Sequence, residues 1–100
     1  MEIKLNKNGS TATIFLSGRF ESAEHRHFKE AFTPYLNDTA VELIEINLAE
    51  VSYVDSSALG MLLLREHAQE VYKKIALRAP NQHVKEILDI ANFAKLFPIS

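Results

Sequence analysis

The residues of this chain whose types and spacing are most suited to chemistry are Asp55, Ser56 and Ser57, which stand directly before the apolar run Ala58-Leu59-Gly60-Met61-Leu62-Leu63-Leu64. Asp and Ser at the start of a helix are caps: their oxygens accept hydrogen bonds from the first backbone N–H groups, which have no partner inside the helix. The same place suits a phosphorylated hydroxyl. A phosphate adds about −1.5 to −2 charges and three acceptor oxygens, and the free N–H groups and positive dipole end of a helix at Ser56 hold such a group without unfolding the domain. Asp55 sets a negative charge beside it, which resists phosphate but can orient an incoming hydroxyl or bind a donor from a partner.

Other reactive residues form no set. His25, His27, His67 and His83 have poor spacing for a metal: His25 and His27 are two apart on a predicted helix and do not face one another, and no local Asp or Glu pattern completes a ligand group. Ser56 lacks the Gly-flanked elbow of a hydrolase nucleophile, and adjacent Asp and Ser residues rarely supply triad geometry. Gly9, Gly18 and Gly60 are scattered, so no Gly-rich phosphate cradle is expected. Neither a catalytic residue, a metal site nor a cofactor is predicted.

The elements that must position Asp55 and Ser56 follow from the hydrophobic period. Ile3 and Leu5 alternate with polar neighbours, as do Ala12, Ile14 and Leu16, and the Asn8-Gly9 dipeptide between them suits positive φ, so two strands in a hairpin are expected. Phe28, Ala31, Phe32 and Tyr35 share a helical face; Ser22 offers a capping oxygen, and Pro34 predicts an end near Thr33 or a little beyond. Ile44, Ile46 and Leu48 mark a third strand, with the Val51–Leu64 segment just after it and a second helix following Asp55. Ile75 and Leu77 mark a fourth strand, and Val84, Ile87, Leu88 and Ala91 a third helix after Pro80 and Asn81. Strands separated by helices run parallel with right-handed crossovers. The expected product is an α/β domain with a mixed four- to five-stranded sheet whose helices lie mainly on one face.

Composition agrees with one packed domain over residues 1–100: 47% of the residues are hydrophobic and 24% charged, with three Gly and three Pro. The net charge of −2 is spread in mixed sign, with no basic stripe for nucleic acid. The lack of cysteine fits a reducing compartment, and the polar start and the absence of a spanning apolar stretch point to the cytoplasm and away from membrane insertion.

The second helix is oversupplied with apolar residues. At a period of 3.6, Met61, Leu64, Ala68 and Val71 share one face, while Leu59, Leu62 and Leu63 share another with Glu66 and Glu70. One set can bury on the sheet; the other packs on a neighbouring helix or forms a docking surface beside the cap. Tyr53 is expected in sheet or core packing, the charged residues Glu21, Glu24, Arg26, Lys29 and Glu30 on a solvated face, and Phe93, Leu96 and Phe97 as anchors of the C-terminal tail.

The run Val54-Asp55-Ser56-Ser57-Ala58-Leu59-Gly60 resembles the signature of STAS domains of the bacterial anti-sigma factor antagonist type: an apolar residue, Asp, Ser, Ser or Thr, a small residue, Leu and Gly. The order of elements on both sides is similar to the family as well. Ala58 departs from it, standing where many members have Gly. The resemblance implies a non-catalytic STAS fold with Ser56 as phosphate acceptor, Ser57 as a weaker candidate, and a partner surface over Asp55, Ser56, Ser57, Ala58, Leu59, Leu62 and Leu63. The implied partners are an anti-sigma factor or serine kinase of the histidine-kinase ATPase fold and a serine phosphatase; the free chain is expected to be a monomer. STAS domains also occur in lipid-transport complexes, so a constitutive subunit without a phosphoswitch is the alternative.

Overall fold

The computed structural model describes residues 1–55, 74–95 and 98–100. The expected second helix, with both of its apolar faces, and the anchors Leu96 and Phe97 lie outside the described residues.

Alternating residues build the first two strands, β1 (Glu2–Asn8) and β2 (Thr11–Phe20), which pair antiparallel with Asn8 opposite Thr11. Their turn is therefore Gly9-Ser10, one residue later than the Asn8-Gly9 dipeptide suggests. Gly9 takes φ +63, which glycine adopts without a Cβ clash and which places it at the first centre of a two-residue hairpin. Strand β3 (Leu43–Val54) runs parallel to β2, and β4 (Lys74–Arg78) parallel to β3, giving a mixed sheet of order β1-β2-β3-β4. The chain extends β4's edge at the far end: Leu77 bridges Ile99 in parallel, its N–H donating to the Pro98 carbonyl at 2.9 Å and its carbonyl accepting from the Ser100 N–H at 3.1 Å.

Strand β3 continues well past Leu48, and the segment Val51–Val54 is strand instead of the connection expected from sequence. The reason is two register shifts. Between Phe15 and Ser17 the β3 strand advances from Asn47 to Glu50, and between Gly18 and Arg19 from Val51 to Tyr53, so β3 carries one extra residue at each place. Each bulge resets which parity faces the core. Buried positions therefore fall at Ile44, Ile46 and Leu48, then Val51, then Val54. The first bulge is braced by Asn47, whose Oδ1 accepts from the Ala49 N–H at 3.0 Å, a local bond typical of Asn.

One sheet face is the core. Ala12, Ile14, Leu16, Ile44, Ile46, Leu48 and Leu77 are buried there with Phe28 and Phe32 of α1 (His25–Asn37) and Val84 and Leu88 of α2 (Gln82–Ile90). Both described helices thus pack on the same side, as expected. The Phe28 ring centroid lies 5.2 Å from that of Phe20 and 5.7 Å from that of Phe32, and full burial of each such side chain contributes roughly 1.5–3 kcal/mol. The other face carries Lys4, Phe15, Asn47, Glu45 and Arg78, with Arg78 Nε 2.9 Å from Glu45 Oε2.

Helix α1 continues beyond Thr33. It passes through Pro34 to Asn37, because Tyr35 and Leu36 reach the core from the turn beyond the proline. Their burial outweighs the backbone bond that Pro34, without an N–H, cannot make to the preceding turn. Asp38 ends the helix in extended conformation and accepts from the Ala40 N–H at 2.9 Å and from Lys7 Nζ at 2.8 Å. Among the described residues no helix is long and apolar enough to cross a membrane.

Candidate functional site

Strands β2, β3 and β4 point the same way, and their C-terminal ends form the edge at which open α/β sheets place ligands and partners. Asp55 lies there, one residue beyond β3. Its N–H continues the ladder to the Phe20 carbonyl at 3.4 Å. Its carboxylate turns towards the end of β2, and Oδ2 accepts a hydrogen bond from the Ser22 N–H at 3.2 Å across 33 residues of sequence.

That bond answers a local need. The chain leaves β2 through Glu21 into a single 3-10 turn, Ser22–Glu24, which leads directly into α1. The first N–H groups of such a turn lack internal partners. Neither Glu21 nor Glu24 provides a side-chain cap, and Ser22, expected from sequence to cap the helix, is instead a donor through its backbone. The Glu21 carboxylate is drawn back to Arg19, with Oε2 3.2 Å from Nε. Arg19 in turn lies over the Tyr53 ring, 4.0 Å from its centroid, a cation–π contact on the half-exposed side of the sheet. Tyr53 is therefore half-buried sheet packing with an Arg lid. Asp55, one residue past the neighbouring strand, is the acceptor that the first turn finds.

The turn is held from a second side. Glu24 Oε1 is 3.3 Å from the Met1 amino group and Oε2 3.3 Å from His27 Nδ1. The hydrogen bond to His27, followed by that to the Met1 ammonium, lowers the Glu24 carboxyl below its ordinary range. Glu21, Glu24 and Asp55 all bring carboxylates to the N-terminal side of α1, where the helix dipole favours negative charge.

Of the residues expected from sequence to form the partner surface, Asp55 is described and is the tether just given; Ser56, Ser57, Ala58, Leu59, Leu62 and Leu63 lie outside the described residues, as does His67. His25 and His83 are exposed, and among the described residues no group of three or more His, Cys, Asp or Glu gathers. Sequence reasoning missed the Ser22 N–H and the Arg19–Tyr53 and Arg19–Glu21 contacts. A backbone donor has no sequence signal, and Arg19 faces Tyr53 only through the second bulge. A shallow depression of about 430 Å³ on the open face is lined by residues including Phe15, Lys4, Asn47 and Glu50 and does not include Asp55, Ser22 or Arg19.

An antiparallel hairpin leading into parallel strands, with both described helices on one face and an Asp at the β3 exit, defines an α/β fold of the STAS type. The family model described as "Mlab, STAS domain" matches residues 3–98, and the chain belongs to the STAS domain family. A STAS-domain containing protein of Pseudomonas aeruginosa is 38% identical over 94 residues, which cover 93% of this chain and 91% of the relative. The anti-sigma factor antagonist SpoIIAA in its unphosphorylated form has a TM-score of 0.82 at 20% identity, over 99% of this chain and 88% of that one. The Bacillus cell fate determinant SpoIIAA in its phosphorylated form has a TM-score of 0.75 at 19% identity, over 99% and 91%. These two structures share the fold with this chain.

Proposed function

We propose that this chain, acting as a single STAS domain over residues 1–100, is a cytoplasmic and non-catalytic protein-interaction switch. In its unmodified form it binds an anti-sigma factor or serine kinase of the histidine-kinase ATPase fold and relieves inhibition of that partner's target. Phosphorylation of Ser56 releases it, and a serine phosphatase restores binding. Partner contacts are assigned to Asp55, Ser56, Ser57, Ala58, Leu59, Leu62 and Leu63, and Ser57 is the secondary acceptor.

The observation that carries this reading is the anchoring of Asp55 at the C-terminal edge of the sheet through Phe20 and Ser22. It fixes the residue before Ser56 at an edge where a phosphate alters the surface that a partner meets. Support also comes from the likeness to SpoIIAA, whose fold has been solved with and without phosphate. A constitutive STAS subunit without a phosphoswitch is the second reading; the matched family model, described by Mlab and not as an anti-sigma factor antagonist, favours it.

Capture of partners from a lysate by the unmodified chain, followed by phosphosite mapping after incubation with the captured kinase and ATP, tests the proposal. A single phosphate on Ser56 is expected. Calorimetric titration then compares Ser56→Ala, expected to bind like the parent, with Ser56→Asp, expected to bind at least ~10-fold more weakly, or ~1.4 kcal/mol. Two folded variants that both bind as tightly as the parent would transfer the assignment to the constitutive subunit.

A further inference from the structure

We propose that the open face of the sheet carries a docking site for an arginine side chain of a partner protein, made by the Phe15 ring and the carboxylates of Glu2 and Glu50. The depression that holds these residues does not include Asp55, and the site applies to the switch and to the constitutive subunit alike.

Two adjacent rows of the strand register build it. Glu2 and Glu50 stand opposite Ser17, one on each side, and Lys4 and Asn47 stand opposite Phe15 in the same way. Neighbouring strands are about 4.8 Å apart and alternate residues of one strand about 6.7 Å apart, so side chains as long as glutamate can reach a group above Ser17 from both flanks. Ser17 is short, and Phe15 beside it is 40% exposed. All of these residues line the depression of about 430 Å³.

The first β3 bulge accounts for the second carboxylate. In an unbroken register Ala49 would stand opposite Ser17; the shift between Phe15 and Ser17 puts Glu50 there instead. Bulges are a common device for re-aiming a side chain at a functional site.

Charge and ring together select the ligand. Among the described residues neither Glu2, Glu50 nor Lys4 has an ion-pair partner. Two carboxylates against one ammonium leave the depression net negative beside an exposed aromatic ring, and the Ser17 end, away from Lys4, favours a cation. A guanidinium answers both features, since it stacks on rings and donates a fork of N–H groups to carboxylates, whereas an ammonium is a compact, strongly hydrated point charge. The same strand already holds one such unit. Arg19, two residues beyond Ser17, lies 4.0 Å from the Tyr53 ring centroid, with Glu21 Oε2 3.2 Å from its Nε. Phe15 with Glu2 and Glu50 repeats that arrangement, with the cation supplied by another chain.

The test is an NMR titration of the full chain at low ionic strength with acetyl-Gly-Arg-Gly-amide and with its Lys and Glu counterparts. The Arg peptide is expected to give saturable shifts at Phe15, Ser17 and Glu50 and to bind about 2–5-fold more tightly than the Lys peptide. Phe15→Leu keeps an apolar contact without the ring, and Glu2→Gln combined with Glu50→Gln removes the charge. Each is expected to weaken the Arg peptide about 2–5-fold. All three positions are exposed, and circular dichroism confirms that the variants keep the parent fold. Equal binding of the Arg and Lys peptides, tighter binding of the Glu peptide, or undiminished binding in Phe15→Leu overturns the proposal. Shifts at the same residues when the chain alone is concentrated would give this face to a second copy and overturn it as well.

Discussion

Asn81 joins α2 to β3 with both ends of its side-chain amide: Nδ2 donates to the Val51 carbonyl at 2.8 Å, and Oδ1 accepts from the Val84 N–H at 2.9 Å. Val51 flanks the second β3 bulge and is buried, so its carbonyl is poorly placed to find water. One residue thus caps a helix and satisfies a backbone group that the bulge exposes. Asn81→Ala loses both functions and is expected to destabilise the fold by about 1–3 kcal/mol in urea denaturation. Asn81→Asp keeps the cap acceptor but not the donor, and it should cost about half as much. Equal losses in the two variants would show that the Val51 bond contributes nothing.

The backbone is strained two residues before Asn81. Ala79 has φ +57 directly before Pro80, and its N–H donates to the Ser100 carbonyl at 2.8 Å. A Cβ in this region costs about 1–2 kcal/mol, partly offset by the ~0.5–1 kcal/mol of chain entropy that glycine loses on folding. Ala79 is exposed, so little packing is at stake. Ala79→Gly is expected to stabilise by about 0.5–1 kcal/mol, and Ala79→Val, β-branched at positive φ, to destabilise by more than ~1 kcal/mol. Thermal denaturation of the pair decides it, and stabilisation by valine would contradict the strain.

Much of this architecture is legible from hydrophobic period alone. The β1–β2 hairpin, the start of β3, β4 and the Asn81-capped α2 all follow from alternation or from a helical stripe with its cap. The second half of β3 does not, because bulges at Leu48-Ala49 and Ser52 break a two-residue period that the strand itself continues. Helix α1 reads as ending near Thr33 or a little beyond because Pro34 follows, whereas Tyr35 and Leu36 find core contacts that only the folded chain provides. At the candidate site, the Asp55-Ser56 motif is visible as residue types, and its phosphoswitch meaning comes from family resemblance. The Asp55–Ser22 bond pairs a side chain with a backbone donor 33 residues away, a relationship with no compositional trace.

Acid should act on the first turn through Glu24. Its carboxyl is lowered first by the hydrogen bond to His27 and then by that to the Met1 ammonium. A carboxyl with a depressed folded value adds stability that is fully present above its unfolded value of about 4.3 and disappears as pH falls through the lower folded value. The parent is therefore expected to be more stable than Glu24→Gln at pH 6 to 7, with the difference shrinking below about pH 4 and vanishing once Glu24 is protonated in both states. Urea denaturation midpoints from pH 7 to pH 2.5 follow it, and a difference independent of pH over that range would remove Glu24 ionisation as its source. The pairs are partly exposed, so added salt should narrow the gap.

Pro34 offers the most direct improvement in the fold. It lies inside α1, four residues before the helix ends at Asn37 when Pro34 itself is counted, and its ring is exposed. The helix therefore carries the cost of proline in its interior: one i to i−4 bond is missing, the ring crowds the carbonyl of Glu30, and Thr33 is held in the helical region that a residue before proline avoids. What keeps the last turn helical is the contact of Tyr35 and Leu36 with the core, while Pro34 is exposed. Pro34→Ala restores the N–H and the bond to Glu30 and substitutes the strongest helix former. Proline's advantage in restricting the unfolded chain is lost, which returns part of the gain. The net expectation is stabilisation by about 1–2 kcal/mol, seen as a rise of several degrees in the thermal midpoint, with helical ellipticity at 222 nm equal to or above that of the parent. Pro34→Gly restores the same bond without the helix propensity and should stabilise less. A fall in the midpoint for Pro34→Ala with unchanged ellipticity would mean that the proline itself helps hold Tyr35 and Leu36 against the core.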